Sequence, residues 1–184
     1  MLEALVLAMT FLFPKYLDEE TARLHVASAL AAEEETGIPA SVLLGQAYFE
    51  SRFNQYSFSR MECTKSHCTR VTGVWTQEKP PGNAKPTYYC GVLQVGGAIS
   101  WDECRDIMLD IPGSYMKAAD ELVSWSKYPK CRKLRGDDKI GCALSGFGAG
   151  NYGLEVAPIK YATSVLHMSE RIVHTAESRV VAGL

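Results

Sequence analysis

The chain has 184 residues, 47% hydrophobic and 22% charged, an ordinary globular composition with enough length to bury a core without metal or crosslinks. Lysines and arginines number 19 against 21 acids, so the formal charge is −2, which argues against a dedicated nucleic-acid binder with its usual basic excess. The odd figure is six cysteines, all between Cys63 and Cys142.

The run Leu2–Phe13 is apolar but carries Glu3 and has no cation ahead of it, so it fits neither a signal peptide nor a bilayer span. It reads as a buried first helix ended by Pro14. Leu17–Thr36 predicts a second helix, with Asp18, Glu19 and Glu20 in its first turn and Gly37 as its stop. Pro39 opens a third helix that runs to about Ser51. The stretch Asn54–Tyr89 is rich in Ser, Thr, Pro, Gly and Lys, and reads as a long insertion with a β-hairpin, Arg70–Thr76 being strand-like. After Gly91 the pattern is helical again, in Trp101–Leu109 and Pro112–Ser126. A basic stretch, Lys127–Lys139, reads as a solvated connection. A glycine-punctuated segment from Gly141 and a final helix, Ile159–Val181, complete a mainly α chain with a small β element.

Cys63, Cys68, Cys90, Cys104, Cys131 and Cys142 fit disulfides in an oxidising compartment, although no pairing can be chosen from sequence. Reduced, partly buried thiols are the bland alternative. A zinc site from Cys63, His67, Cys68 and Cys90 is a third, weakened by the lack of a Cys-x2-Cys pair. His25, His167 and His174 suggest core or surface roles. No Ser/His/Asp order, phosphate loop or dinucleotide fingerprint is present.

The chemistry concentrates in the third helix. Leu43, Ala47 and Glu50 fall at i, i+4 and i+7, sharing a face with Gln46, which sets a carboxyl at the C-terminal end of an apolar stripe. Burial and the negative end of the helix dipole both disfavour the anion, as a general acid requires.

The segment Ile38–Asn54, IPASVLLGQAYFESRFN, resembles the catalytic helix of soluble lytic transglycosylases and goose-type lysozymes. Three further pieces follow in the family's order. Gly91-Val92-Leu93-Gln94-Val95 is similar to its glycine–hydrophobic–methionine–glutamine element. Ala143–Gly153, ALSGFGAGNYG, is similar to its alanine–tyrosine–asparagine–alanine–glycine element. Tyr161 stands where a tyrosine opens the last helix. The resemblance implies a single lysozyme-like α+β domain over 1–184. Its parts would be N-terminal helices at 1–37, the catalytic helix at 38–54, a Cys-containing insertion at 55–90 and a helical part at 91–184.

It implies further that Glu50 is the catalytic acid/base on the glycan strands of peptidoglycan, without cofactor or metal. Ser51 would support the site, Gln94 would line the cleft, and Tyr161 would orient the glutamate. Phe147 and Gly148 replace the family's tyrosine and asparagine; Asn151 and Tyr152 lie near enough in sequence to substitute for them. Goose-type lysozymes carry an aspartate after the glutamine–valine pair, where Gly96 and Gly97 stand here. Asp102, beside Glu103, is the nearest candidate for a second carboxylate, and Ser100 marks both as acids of a helix start. That absence favours the lytic transglycosylase over the hydrolytic muramidase. Trp75, Tyr88 and Tyr89 are candidate sugar-stacking surfaces in the insertion, or else its internal packing. The cysteines would staple loops walling a cleft rather than the core. The expected setting is periplasmic, extracellular or virion-associated, with no stable membrane span and no nucleic acid. A catalytically silent binding domain of a virion or secretion machine is the rival of another class.

Overall fold

The computed structural model describes residues 1–63, 68–74, 88–98 and 100–182. In chain order they form α1 (Leu2–Leu12), α2 (Glu19–Thr36), α3 (Ala40–Ser51), β1 (Ser57–Cys63), β2 (Cys68–Val74), β3 (Tyr88–Cys90), β4 (Val95–Ala98), α4 (Trp101–Leu109), α5 (Ile111–Ser126), α6 (Gly136–Glu155) and α7 (Lys160–Val181). The fold is mainly helical with one small antiparallel sheet, as the sequence pattern predicts. Contacts divide the chain into two compact units, Met1–Gln46 with Tyr115–Leu184, and Ala47–Ser114. No described helix is long and apolar enough to cross a membrane.

The first unit is helical. Helix α1 packs against α2 and α7, burying Leu5, Val6, Ala8 and Met9, so the apolar first run is core as expected. Asp18 caps α2 by accepting from the Thr21 amide at 2.8 Å. The start of α3 meets α7 closely. Ser169 Oγ donates to Ser41 Oγ at 2.7 Å, and a Cβ at Gly45 would lie 3.0 Å from the Val165 carbonyl. Helix α6 begins three residues before the expected end of the basic connection and breaks at Ala149–Gly150. There Gly150 adopts φ 60°, ψ −146°, a conformation open essentially to glycine alone. The disulfide Cys131–Cys142 lies with Leu154 and Trp125 in a buried apolar cluster.

The second unit holds the sheet, in order β2-β1-β3-β4. Strands β1 and β2 form the expected hairpin, in register from Ser57 opposite Val74 to Cys63 opposite Cys68. Helix α4 covers β3 and β4. Phe58, Tyr88, Cys90, Cys104, Ile107 and Met108 bury a second cluster, with Trp101 against it. The disulfide Cys90–Cys104 sits inside that cluster.

Several expectations are corrected. Of the two disulfides among the described residues, Cys90–Cys104 lies inside an apolar cluster rather than on a polar loop, and Cys131–Cys142 ties the basic stretch to α6 through a buried apolar cluster; Cys90, Cys104 and Cys131 are fully buried and Cys142 nearly so. The zinc arrangement is lost, since Cys90 is bonded to Cys104 and has no thiolate to offer; His67 lies outside the described residues. The stretch after Gly91 is not purely helical, because Val95–Ala98 completes the sheet. Tyr88 is 2% exposed and packs on Trp101 with ring centroids 5.6 Å apart, so it serves the core and no sugar. Tyr89 is half-buried, its ring against Gly96; Trp75 lies outside the described residues.

His25 takes the core option. It is fully buried in α2, its Nδ1 3.1 Å from the Tyr115 hydroxyl, and burial pushes its pKa down from 6.5 to about 4. The unfolded chain therefore binds a proton that the folded one refuses between those pH values. Stability is complete above pH 6.5 and falls as the pH drops towards 4, by about 3 kcal/mol in all. Urea unfolding at pH 7 and pH 4.5 should show a steeper acid loss in the wild type than in His25→Gln. Equal losses would contradict the assignment.

Candidate active site

Glu50 is half-buried in the last turn of α3, followed by Ser51. A helix normally stops here with glycine, but the next two residues are Arg52 and Phe53, both left-handed, with φ 59° and 64°. Among the described residues one more non-glycine shares that region, Gln94 at φ 49°. Such backbone costs roughly 1–3 kcal/mol per residue and persists only where the surroundings over-determine it.

Each of the three is held by visible contacts. The Arg52 guanidinium lies 4.0 Å over the Tyr48 ring, and its Nη1 donates to the Tyr48 carbonyl at 3.1 Å. Phe53 is 5% exposed, with its ring centroid 6.2 Å from that of Tyr48. Gln94 is 4% exposed, and its Nε2 donates to the carbonyls of Ser57 at 2.8 Å and Gly91 at 3.0 Å.

These contacts join two stretches far apart in sequence. Ser51 Oγ donates to the Val92 carbonyl at 2.7 Å, tying the end of α3 to the Gly91–Val95 segment. The Gly91 amide donates to Ser57 O at 3.0 Å, and the Gln94 amide closes a turn onto Gly91 O at 3.1 Å. Gly91 has φ 77°, and a Cβ there would stand 3.0 Å from Ser114 Oγ, so the turn needs glycine twice over. Asn54 leads out of the strained pair by accepting the Tyr56 amide on its Oδ1 at 3.0 Å. Glu50 thus sits one residue from a fixed junction. Gln94 is a buried strut of that junction, with its amide nitrogen committed to backbone.

Asp102 has a different setting. Its side chain is 80% exposed and ion-paired with Arg105 at 3.4 Å, in the first turn of α4 that Ser100 caps by accepting from the Glu103 amide. Those are the surroundings of an acid that complements a helix start.

The other sequence-predicted residues belong to the first unit and gather around the break in α6. Phe147 is half-buried, Asn151 exposed, and Tyr152 67% exposed. Tyr161 packs its ring on Gly148, where a Cβ would come within 2.9 Å, and its hydroxyl is buried. Gln46 is also in this unit and fully buried; neither its Oε1 nor its Nε2 meets a hydrogen-bonding partner among the described residues.

Sequence reasoning passed over Glu121. Its Oε1 accepts from Trp125 Nε1 at 3.4 Å, burial raises its carboxyl pKa, and Trp125 lies flat on Gly146 of α6. The Glu121–Trp125 spacing of four on one helix was the available signal. Among the described residues no group of three or more His, Cys, Asp or Glu side chains gathers as metal ligands would.

Comparison with family models, with curated proteins and with solved structures returns no match. The site's own geometry and the resemblance of its motifs carry the functional reading.

Removing Gln94 separates the two parts of this geometry. Both Gln94→Ala and Gln94→Gly remove two side-chain hydrogen bonds, at about 0.5–1.5 kcal/mol each, while Ser57 O and Gly91 O keep their backbone donors; glycine, however, is at ease at positive φ. Chemical denaturation should therefore find both variants less stable than wild type, with Gln94→Gly the more stable of the two by about 1 kcal/mol. The reverse order would deny that the left-handed backbone is strained.

Proposed function

We propose that the chain cleaves peptidoglycan at the β-1,4 bond between N-acetylmuramic acid and N-acetylglucosamine, as a lytic transglycosylase with Glu50 as its one acid/base. The observation that carries this reading is the junction beside Glu50. The two motifs resembling the family's glutamate–serine and glutamine elements are separated by a long insertion, yet the hydrogen bond from Ser51 to Val92 joins them, and Gln94 ties the second to Ser57 at the start of β1. A carboxyl next to such an anchor has little freedom to wander, and a general acid must sit within hydrogen-bond reach of the oxygen it protonates.

In the proposed chemistry Glu50 gives its proton to the glycosidic oxygen as the C1–O bond of the muramyl residue breaks. The oxocarbenium-like centre is then attacked by the same residue's 6-hydroxyl oxygen, whose proton returns to the Glu50 carboxylate. The carboxyl is regenerated, no water is consumed, and the product carries a 1,6-anhydro bond. The two disulfides among the described residues suit a protein that meets its substrate outside the cytoplasm, in a periplasmic, extracellular or virion setting.

Hydrolysis by a goose-type muramidase is the second enzymatic reading, and it asks for a second carboxylate roughly 6.5–9.5 Å from the first with water between them. The exposure of Asp102 and its pairing with Arg105 favour the transglycosylase.

Glu50→Gln keeps the shape of the side chain and removes its titration. Clearing of a peptidoglycan suspension should fall by at least about a hundredfold in this variant. Clearing at the wild-type rate would rule out Glu50 as the acid. A wild-type chain that never clears peptidoglycan would favour the silent binding domain.

A further inference from the structure

The basic stretch between α5 and α6 has no part in the proposed chemistry, and its construction differs from that of a loose connection. Lys127, Lys130, Arg132, Lys133 and Arg135 place five cations in nine residues with no acid among them, in a chain whose remainder is net acidic. The backbone is knit by successive turns: Lys127 N to Ser124 O at 3.2 Å, Tyr128 N to Trp125 O at 3.0 Å, Arg132 N to Tyr128 O at 2.9 Å, and Leu134 N to Cys131 O at 3.0 Å. Cys131, in the middle, is fully buried and bonded to Cys142 of α6. Lys130 is exposed but its ammonium is committed, Nζ donating to the carbonyls of Leu154 at 3.2 Å and Glu155 at 3.3 Å, at the end of α6.

Four cations remain. Lys127, Arg132, Lys133 and Arg135 are exposed, and none forms an ion pair with an acid among the described residues. Asp137 and Asp138 follow in the first turn of α6, where the helix dipole favours them. Two sizeable apolar side chains are exposed between the cations, Tyr128 at 42% and Leu134 at 38%. Unpaired like charges held together by a disulfide repel one another, and a flexible solvated connection would have spread them apart. A fixed array of cations interleaved with an aromatic and an aliphatic side chain matches the boundary of an anionic bilayer. Headgroup phosphates meet the cations there, and the apolar groups enter the acyl edge.

We propose that the segment Lys127–Arg135 is a docking surface for anionic phospholipid membrane, binding peripherally. The remainder of the chain is net acidic and is repelled by the same membrane, which favours approach by this face. The attraction is electrostatic and fades as salt shortens the screening length. Each cation near an anionic surface contributes about a fivefold factor in partitioning.

Sedimentation of the whole chain with vesicles tests this independently of any cleavage activity. At low salt the wild type should sediment with mixed phosphatidylglycerol–phosphatidylcholine vesicles, stay in solution with phosphatidylcholine alone, and be released as salt rises. Arg132→Gln with Lys133→Gln should weaken partitioning about thirtyfold, both positions being exposed and outside the buried clusters. Leu134→Ser, or Tyr128→Ser if the first fails to fold, should weaken it further at constant charge. No sedimentation with the anionic vesicles would overturn the proposal, as would a double variant that binds like wild type. Inorganic polyphosphate separates the sources of phosphate: if it displaces the protein from vesicles and both serine variants bind unchanged, the surface reads polyanions and the membrane assignment is wrong.

Discussion

The Ser51 hydroxyl donates to the Val92 carbonyl at 2.7 Å, and around that bond the second unit arranges itself. Helix α3 ends there without a glycine, so Arg52 and Phe53 take the left-handed turn that starts the chain back towards β1. Gln94, also left-handed, closes the other side by donating to Ser57 and Gly91. Strain and hydrogen bonding are thus two aspects of one arrangement. The backbone departs from its cheap regions where side-chain donors, stacking on Tyr48 and burial hold it, and the residue beside that arrangement is Glu50.

The apolar clusters support this from beneath. Cys90 is the last residue of β3 and the neighbour of Gly91, so its disulfide to Cys104 anchors the start of the Gly91–Gln94 turn inside the cluster of Phe58, Ile107 and Met108. Closing a loop of 14 residues restricts the unfolded chain by about 3 kcal/mol on the chain-entropy account. Ser114 adds a polar support, its Oγ donating to Ile107 O at 3.0 Å and lying 3.0 Å from where a Cβ on Gly91 would be. In the first unit the second disulfide does similar work, fixing the basic segment to α6 across a separation of 11 residues.

Much of this was legible in the sequence where local rules decide. Helix α4 starts and stops where Ser100, Asp102 and Glu103 and the apolar spacing place it, and α2, α3 and α7 fall within about two residues of their predicted bounds. Strands β3 and β4 were not legible: at three and four residues they show no alternation, and the glycines of Val95–Ala98 carry no strand signal. The start of α6 was masked by charge, since Asp137 and Asp138 read as loop although they are its first turn. The burial of the disulfides depends on tertiary clustering, which cysteine spacing does not encode. The same holds for the Ser51–Val92 bond, which spans 41 residues and is visible only once the sheet is formed. Of the candidate site, Glu50, Ser51 and Gln94 were singled out from motif resemblance, but the role of Gln94 as a buried strut was not.

The proposed reaction leaves a chemical mark that no binding domain and no hydrolase produces. Mass spectrometry of muropeptides released by the wild-type chain and by Glu50→Gln tests it most directly. The account predicts 1,6-anhydro ends, lighter by one water than hydrolysed ends, from the wild type and none from the variant. Reducing ends alone from the wild type, or anhydro ends persisting in Glu50→Gln, would contradict it.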